Sequence, residues 1–235
     1  MRRADLAASD VEAMEALLSR HFHGVDDRTF RADLDDKNWV VLLEDGSGCL
    51  RGFSTFRIYG TEAAGRSLAV VYSGDTIVDP EVWGSPALPR TWIQALREAR
   101  RDFPGRECVW LLLTSGFRTY RFLSVFLRDF HPRFDVADRP DRRRLLDELC
   151  RERFGDRWDP IAGVVRFERP QRLRERLAGV PEGRLSNPHV GFFLERNPGH
   201  AAGDELASLA SLDEANLTAV AGRMARRTAQ GNPPW

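Results

Sequence analysis

Gly84-Ser85-Pro86 precedes a run of apolar residues at helical spacing, and residues of these types in that place could bind a phosphate. A helix N-terminus presents unpaired N–H groups and a partial positive charge, so it attracts phosphate oxygens. Gly84 allows close approach of the backbone. Pro86 carries no N–H and leaves the cradle one donor short, which the Ser85 hydroxyl and Arg90, one turn along, are placed to offset. The same three residues also read as an ordinary helix start, with Ser85 as N-cap and Pro86 at the first position. Upstream, Asp75 lies within an apolar strand, where alternation puts Ser73, Asp75 and Ile77 on one face. A carboxylate there either handles a proton or accepts backbone N–H groups at a strand end. His131, before Pro132, is a further acid/base candidate. His21 and His23 flank Phe22 without a carboxylate cluster, so they read as surface groups and no metal is expected.

The elements that must position these residues follow from periodicity. Leu68–Val78 is mostly apolar and β-branched, the pattern of a central strand stopped by Asp79-Pro80-Glu81. Ala87, Leu88, Thr91, Trp92, Ala95, Leu96 and Ala99 recur at helical spacing up to Pro104-Gly105. Cys108–Leu113 is continuously apolar, as in a strand covered on both faces, and a second helix then carries Tyr120, Leu123, Phe126, Leu127 and Phe130. Before this core, residues 10–22 and 27–36 read as amphipathic helices, Trp39–Leu43 as a strand, and Leu50–Tyr59 as its hairpin partner across Asp45-Gly46-Ser47-Gly48. Gly60–Arg66 reads as a loop. Adjacent antiparallel strands need only turns, whereas a parallel step from Val78 to Cys108 needs the helical crossover that the spacing supplies.

After Phe134, Pro140–Phe154 reads as an arginine-rich amphipathic helix in which Arg142-Arg143-Arg144 stand beside Leu145, Leu146 and Leu149. It reads as a solvated face with arginine stems over apolar surface, or as a grip on a phosphate or an acidic partner. Ile161–Phe167, Val190–Glu195 and Glu205–Leu212 read as strands, Pro170–Leu177 and Asp213–Arg227 as helices, and 228–235 as a frayed tail. No repeat or low-complexity linker breaks the chain, so residues 1–235 are expected to form one domain with a helical insertion near 135–185.

Composition narrows the function classes. The chain has 235 residues, 42% hydrophobic, with 14 Phe and 6 Trp, ample for a core. Lys and Arg number 35, Asp and Glu 35, and the net charge is zero, so no global field points to nucleic acid or a membrane surface. Lys37 is the only lysine, a bias that fits a GC-rich, bacterial genome. Cys49, Cys108 and Cys150 are unpatterned, which fits a reducing cytoplasm and no zinc site. No apolar signal region or bilayer-length run is present, and a cytoplasmic location is expected.

The order of elements resembles the GNAT superfamily, the GCN5-related N-acetyltransferases. Ile77-Val78-Asp79-Pro80-Glu81-Val82-Trp83-Gly84 is similar to the family's strand running into its pyrophosphate loop, often V-D-P-E-x-x-G. The family then expects Gln/Arg-x-x-Gly-x-Gly/Ala. Here Glu81 replaces the first residue, Trp83 stands where arginine is common, Gly84 fits and Pro86 replaces the last small residue. The match covers roughly residues 40–134. It implies an α+β fold with a central mixed, mostly antiparallel sheet flanked by helices, its parallel pair splayed near Val78 and Leu113. It implies transfer of an acetyl or other acyl group from acyl-coenzyme A (CoA) to an amine of a small molecule or protein. In that reading the backbone of Ile77 and Val78 aligns the pantetheine arm. Val82, Trp83, Gly84, Ser85, Ala87, Leu88 and Arg90 hold the pyrophosphate. Asp75 orients the amine or relays its proton, and Tyr120 stands where the family often places an acid, although Tyr120-Arg121-Phe122-Leu123 departs from the usual Tyr-x-x-x-Gly-Phe ending. The acceptor is not legible in the sequence, and a homodimer is compatible with it. The alternatives are a catalytically silent GNAT-like binding module, favoured by the altered loop, and an interaction protein acting through its arginine-rich helix.

Overall fold

The computed structural model describes residues 1–83 and 85–229, with the side chains of 95–100, 176 and 225–229 outside the description. The chain opens with helices α1 (Ala8–His21) and α2 (Asp27–Asp35). Met14, Leu17 and Leu18 of α1 and Phe30 and Leu34 of α2 are buried together with Val40, Phe53 and Ile77. Asp26 caps α2 by accepting the Thr29 N–H at 3.0 Å. Strands β1 (Trp39–Glu44), β2 (Leu50–Ala63) and β3 (Arg66–Val78) follow as an antiparallel meander. The loop expected at 60–66 is shorter: pairing runs through Ala63↔Arg66, and the two turn residues Ala64 and Gly65 both take positive φ. That turn matches the twist of a tight hairpin, and the long alternating strands outweigh the glycine at position 60.

Helix α3 (Ala87–Arg100) then crosses over to β4 (Glu107–Thr114), which pairs parallel to β3 from Leu68↔Glu107 to Ser73↔Leu112. The expected parallel neighbours and their helical crossover are thus present. Helix α4 (Phe117–Phe126) ends before the expected Phe130; Leu127 bridges to Leu217, and Phe130 reaches the core from a loop. Helix α5 (Pro140–Phe154) lies over the opposite face, burying Leu145, Leu146, Leu149, Cys150 and Phe154 against Val70, Tyr72 and Leu111.

The second half departs most from its sequence reading. The strand expected at 161–167 shortens to β6 (Val164–Val165), paired with β5 (Trp158–Asp159). The helix expected at Pro170–Leu177 is instead a two-residue ribbon, Arg172–Leu173 against Phe22–His23, followed by one helical turn at Glu175–Ala178. The strand expected at Val190–Glu195 is helix α6 (Pro188–Arg196). Asn187 caps it, accepting the N–H groups of His189 at 3.0 Å and Val190 at 3.4 Å, and Pro188 fills its first position. A short apolar run does not by itself separate strand from helix; cap and proline decide it. Strand β7 (Glu205–Ser211) inserts antiparallel between β4 and β6. Helix α7 (Ala219–Ala229) starts later than Asp213, after a single 3-10 turn. The sheet order is β1-β2-β3-β4-β7-β6-β5, with β3–β4 the one parallel pair among the pairings described.

Candidate active site

The sheet comes apart between β3 and β4. Between β2 and β3 the register slips, so that Thr55 alone stands opposite Gly74 and Asp75, while Ser54↔Thr76 and Phe56↔Ser73 are regular pairs. An extra residue on one strand bends it and strengthens its twist. The consequence appears on the other edge of β3: pairing with β4 stops at Ser73↔Leu112, although β3 continues to Val78 and β4 to Thr114. Beyond that point β4 stays with β7 through Thr114↔Leu206. The amide of Asn197 donates to Thr114 O at 3.3 Å and Asp204 O at 2.8 Å, tying β4 to the start of β7. The two parallel strands therefore part at their C-terminal ends, the place where open α/β sheets hold their ligands.

The extra residue also changes which way side chains point. Ser73 accepts the Trp110 indole N–H at 2.7 Å in the cluster under α3 and α4, whereas Ile77 joins the cluster under α1 and α2. The expectation that Ser73, Asp75 and Ile77 share a face is thereby corrected: the slip in register separates Ser73 from Ile77.

Asp75 lies among charged groups supplied by three elements. Lys37, just after α2, has a side chain with 0% exposure, and its ammonium donates to Asp33 Oδ1 at 2.6 Å and Asp33 O at 3.0 Å. Asp36 lies 3.6 Å from the same ammonium and also takes Arg57 and Arg153. Arg153, near the end of α5, stacks 4.0 Å over the Tyr72 ring, and Lys37 lies 5.4 Å from that ring. Gly74 makes room for the lysine: a Cβ there would come within 2.3 Å of Lys37 Cε and 2.5 Å of Thr55 Oγ1.

Burial and the nearby Asp33 push the Asp75 carboxyl from 3.8 up to about 7, with Lys37 pulling the other way. Glu205, at the start of β7, is pushed to about 8 by burial, then by Asp75 and Asp33. The register places these two carboxyl groups on strands flanking the end of β4. Asp36 behaves oppositely: burial raises it, but Arg153, Lys37 and Arg57 outweigh that and hold it below the ordinary range. The site thus contains ionised Asp36 and a pair, Asp75 and Glu205, that changes protonation near neutral pH. A carboxylate with such a pKa suits proton abstraction from a protonated or nucleophilic nitrogen.

The loop after β3 forms the other bank. Asp79 is buried, accepts the Glu81 N–H at 3.2 Å and faces Arg20 and Arg51. Glu81 is itself met by Arg51 at 3.4 Å, so its charge is partly balanced. The Trp83 indole donates to Val78 O at 2.9 Å, and Arg118 of α4 stacks 4.4 Å over that indole, joining the two banks. Val82 is half-buried, while Ala87 and Leu88 are core residues that have only their backbone to offer. The Ala87 N–H is taken by Ser85 Oγ at 3.1 Å, and Pro86 and Pro89 have none. Leu88 is left as the donor of the first turn of α3 among the described residues. Arg90 is half-buried one turn in. Gly84, on which the cradle most depends, lies outside the described residues. As a fit to CoA, the edge of β3 from 74 to 77, beyond its pairing with β4, suits an extended amide-bearing arm. The helix end is a lean phosphate cradle.

The remaining expected residues are elsewhere. Tyr120 has 0% exposure, donates its hydroxyl to Pro132 O at 3.0 Å and is ringed by Phe130, Phe192, Phe193 and His189. Burial raises its pKa, and its hydroxyl is spent on a backbone carbonyl within the core. His131 pairs with Leu209 across the outer edge of β7, and burial lowers its pKa; it too is away from Asp75. His21 is buried and His23 faces Glu175 at 3.5 Å. Arg142, Arg143 and Arg144 face Asp129, Asp138 and Glu148. Residues that the sequence reading missed are Asp33, Lys37, Arg118, Arg153 and Glu205. For Lys37 a signal existed: one lysine kept in an otherwise all-arginine basic set marks a position that arginine does not suit.

No protein-family model and no curated protein matches the sequence. Among solved structures, the chain is similar to a probable N-acyltransferase from Enterococcus faecalis (12% identity, 53% of this chain and 31% of that one, TM-score 0.41). It is similar to an Escherichia coli GNAT-family N-acetyltransferase, YhbS, in complex with CoA (19% identity, 52% of this chain and 65% of that one, TM-score 0.38). It is also similar to a Mycobacterium tuberculosis protein in complex with CoA (14% identity, 88% and 96% covered, TM-score 0.42). The chain spans less than two-thirds of the first two. At these scores no residue-level correspondence is carried over. In its own architecture, with two helices, an antiparallel meander, a helical crossover to a parallel strand and an antiparallel strand beside it, the chain has the mixed α+β fold that the sequence resemblance implied.

Proposed function

We propose that the chain is an acyl-CoA-dependent N-acyltransferase whose acyl group enters the cleft between β3 and β4. The supporting observation is the coincidence of three features at residues 73–75: the register slip, the end of β3–β4 pairing and a carboxyl group that titrates near pH 7. Acyl-CoA would supply an activated thioester. As the amine nitrogen bonds the acyl carbon and the C–S bond breaks, Asp75, ionised above neutral pH, takes the amine proton, CoA leaves as a thiolate protonated from solvent, and Glu205, raised by burial and Asp75, keeps its own proton at neutral pH. Asp33 and Asp36 favour a cationic amine near the cleft, with Lys37 limiting the net charge. The free edge of β3 orients the thioester arm, and the loop at 79–88 with Arg118 receives the nucleotide end. Tyr120 has no part in proton transfer here.

Thiol release from acetyl-CoA with a panel of primary amines tests this. Turnover should depend on amine, and Asp75→Asn should lower it by roughly 10²–10⁴-fold. The silent binding module is the second reading, favoured by the missing N–H donors at Pro86 and Pro89 and by the Trp83 indole on Val78 O. Saturable acetyl-CoA binding without release of thiol to any amine is its signature.

A further inference from the structure

The molecule has a further opening, apart from the β3–β4 cleft. It lies at the outer edge of β7. There the sheet partner changes: β6 pairs with Glu205 and Leu206, Ala207 N donates to Gly163 O at 3.0 Å, and His131 then exchanges bonds with Leu209 at 2.8 and 2.7 Å. Between the β5–β6 hairpin and the 130–133 segment, roofed by the N-terminal half of α5 and the end of α6, is a cavity of about 670 Å³. That volume is within the range of small-molecule sites. It shares no residue with the Asp33, Lys37, Asp75 and Glu205 cluster or with the loop at 79–88.

Its lining combines apolar walls with converging guanidinium groups. Leu146, Trp158, Phe192 and Ala207 form the floor and walls. Val136 and Ile161 stand at the mouth, 41% and 84% exposed, the latter a large exposure for an isoleucine. Two acids line it, and both are engaged. Asp147 accepts the Trp158 indole N–H at 2.8 Å and Arg151 at 2.9 Å, and Asp138 faces Arg143 at 3.2 Å. Arg133, Arg139 and Arg144 face Asp135, Asp129 and Glu148. Arg196 differs. Among the described residues it contacts the Ala162 carbonyl at 3.4 Å, and its buried Nε has no hydrogen-bond partner. A buried Nε–H donor at the wall of a cavity favours an anionic acceptor.

We infer that this cavity binds a small carboxylate with an apolar chain, its head on Arg196 and its tail against Leu146, Trp158 and Phe192. It is a second ligand site, independent of the acyl-transfer reading, and its measurement needs no CoA.

The test is calorimetric titration of the full chain with octanoate, octanamide, acetate and inorganic phosphate. Octanoate should bind saturably at one site. Octanamide, with the chain but no charge, should bind at least about tenfold more weakly. Acetate and phosphate should not displace octanoate at equal concentration. Arg196→Gln should weaken octanoate at least about tenfold and leave octanamide unchanged. If that variant does not fold, Arg143→Gln at the exposed rim carries the test, with an expected loss of about threefold. Equal binding of octanamide would overturn the proposal, as would displacement by phosphate, unchanged octanoate affinity in the folded variant, or no saturable binding.

Discussion

Replacing Asp75 by Asn should make the protein more stable at pH 8 and change little near pH 4. In the folded chain burial and Asp33 raise the Asp75 pKa from 3.8 to about 7, and Glu205 is raised to about 8. Both groups bind their protons more tightly folded than unfolded. Their contribution is therefore fully present below about pH 4 and is lost as pH rises through about 7 to 8. A shift of about three pH units sets an upper bound near 4 kcal/mol for Asp75. Its side chain is only half-buried and the two carboxyl groups interact, so about 1–3 kcal/mol is the expected gain at pH 8. Asn cannot ionise, and its removal of the Asp75 charge also lets the Glu205 pKa fall. Urea unfolding followed by tryptophan fluorescence at intervals from pH 4.5 to 8.5 measures this. The stability of the parent should fall with rising pH, and the variant should be flatter. A variant that is less stable by the same amount at every pH would refute the electrostatic reasoning and leave Asp75 as a simple hydrogen-bonding residue.

Gly74→Ala should cost about 1–3 kcal/mol, because its Cβ meets Lys37 Cε and Thr55 Oγ1. In a Lys37→Ala background the added cost should shrink, and a double-mutant cycle by denaturation reads the coupling. Lys37→Met removes a fully buried cation from beside three acids, so an equilibrium unfolding midpoint should show a loss of about 2–4 kcal/mol, greatest above pH 7. Tyr120→Phe should lose only the hydrogen bond to Pro132 O, about 1 kcal/mol of stability, with turnover within a few-fold of the parent.

How much of this was legible in the sequence depended on range. The meander, the crossover and the parallel pair were readable because each rests on local periodicity and turn chemistry, as in Leu68–Val78 and Cys108–Leu113. The α6 segment misled because Val190–Glu195 alone fits either period, and the Asn187-Pro188 start was the deciding signal. Asp75 was readable as a candidate, since it lies in a legible strand. Its partners were not. Asp33 comes from α2, Lys37 from just after it, Arg153 from α5 and Glu205 from a strand far along the chain, and the register slip at Thr55 changes the way Asp75 faces. Tyr120 was placed by resemblance alone, and the aromatic packing around it is a tertiary fact.

Hydrogen exchange of the backbone with and without acetyl-CoA tests the central claim most directly, because it locates the acyl donor without knowledge of the acceptor. The edge of β3 from 74 to 77 lies beyond its pairing with β4, so its outward N–H groups should exchange quickly in the free protein. Saturating acetyl-CoA should slow exchange at residues 74–78 and 113–118, and should do so equally in Asp75→Asn. Protection confined to other regions, or none at saturation, would contradict the assignment of the β3–β4 cleft as the acyl-donor site.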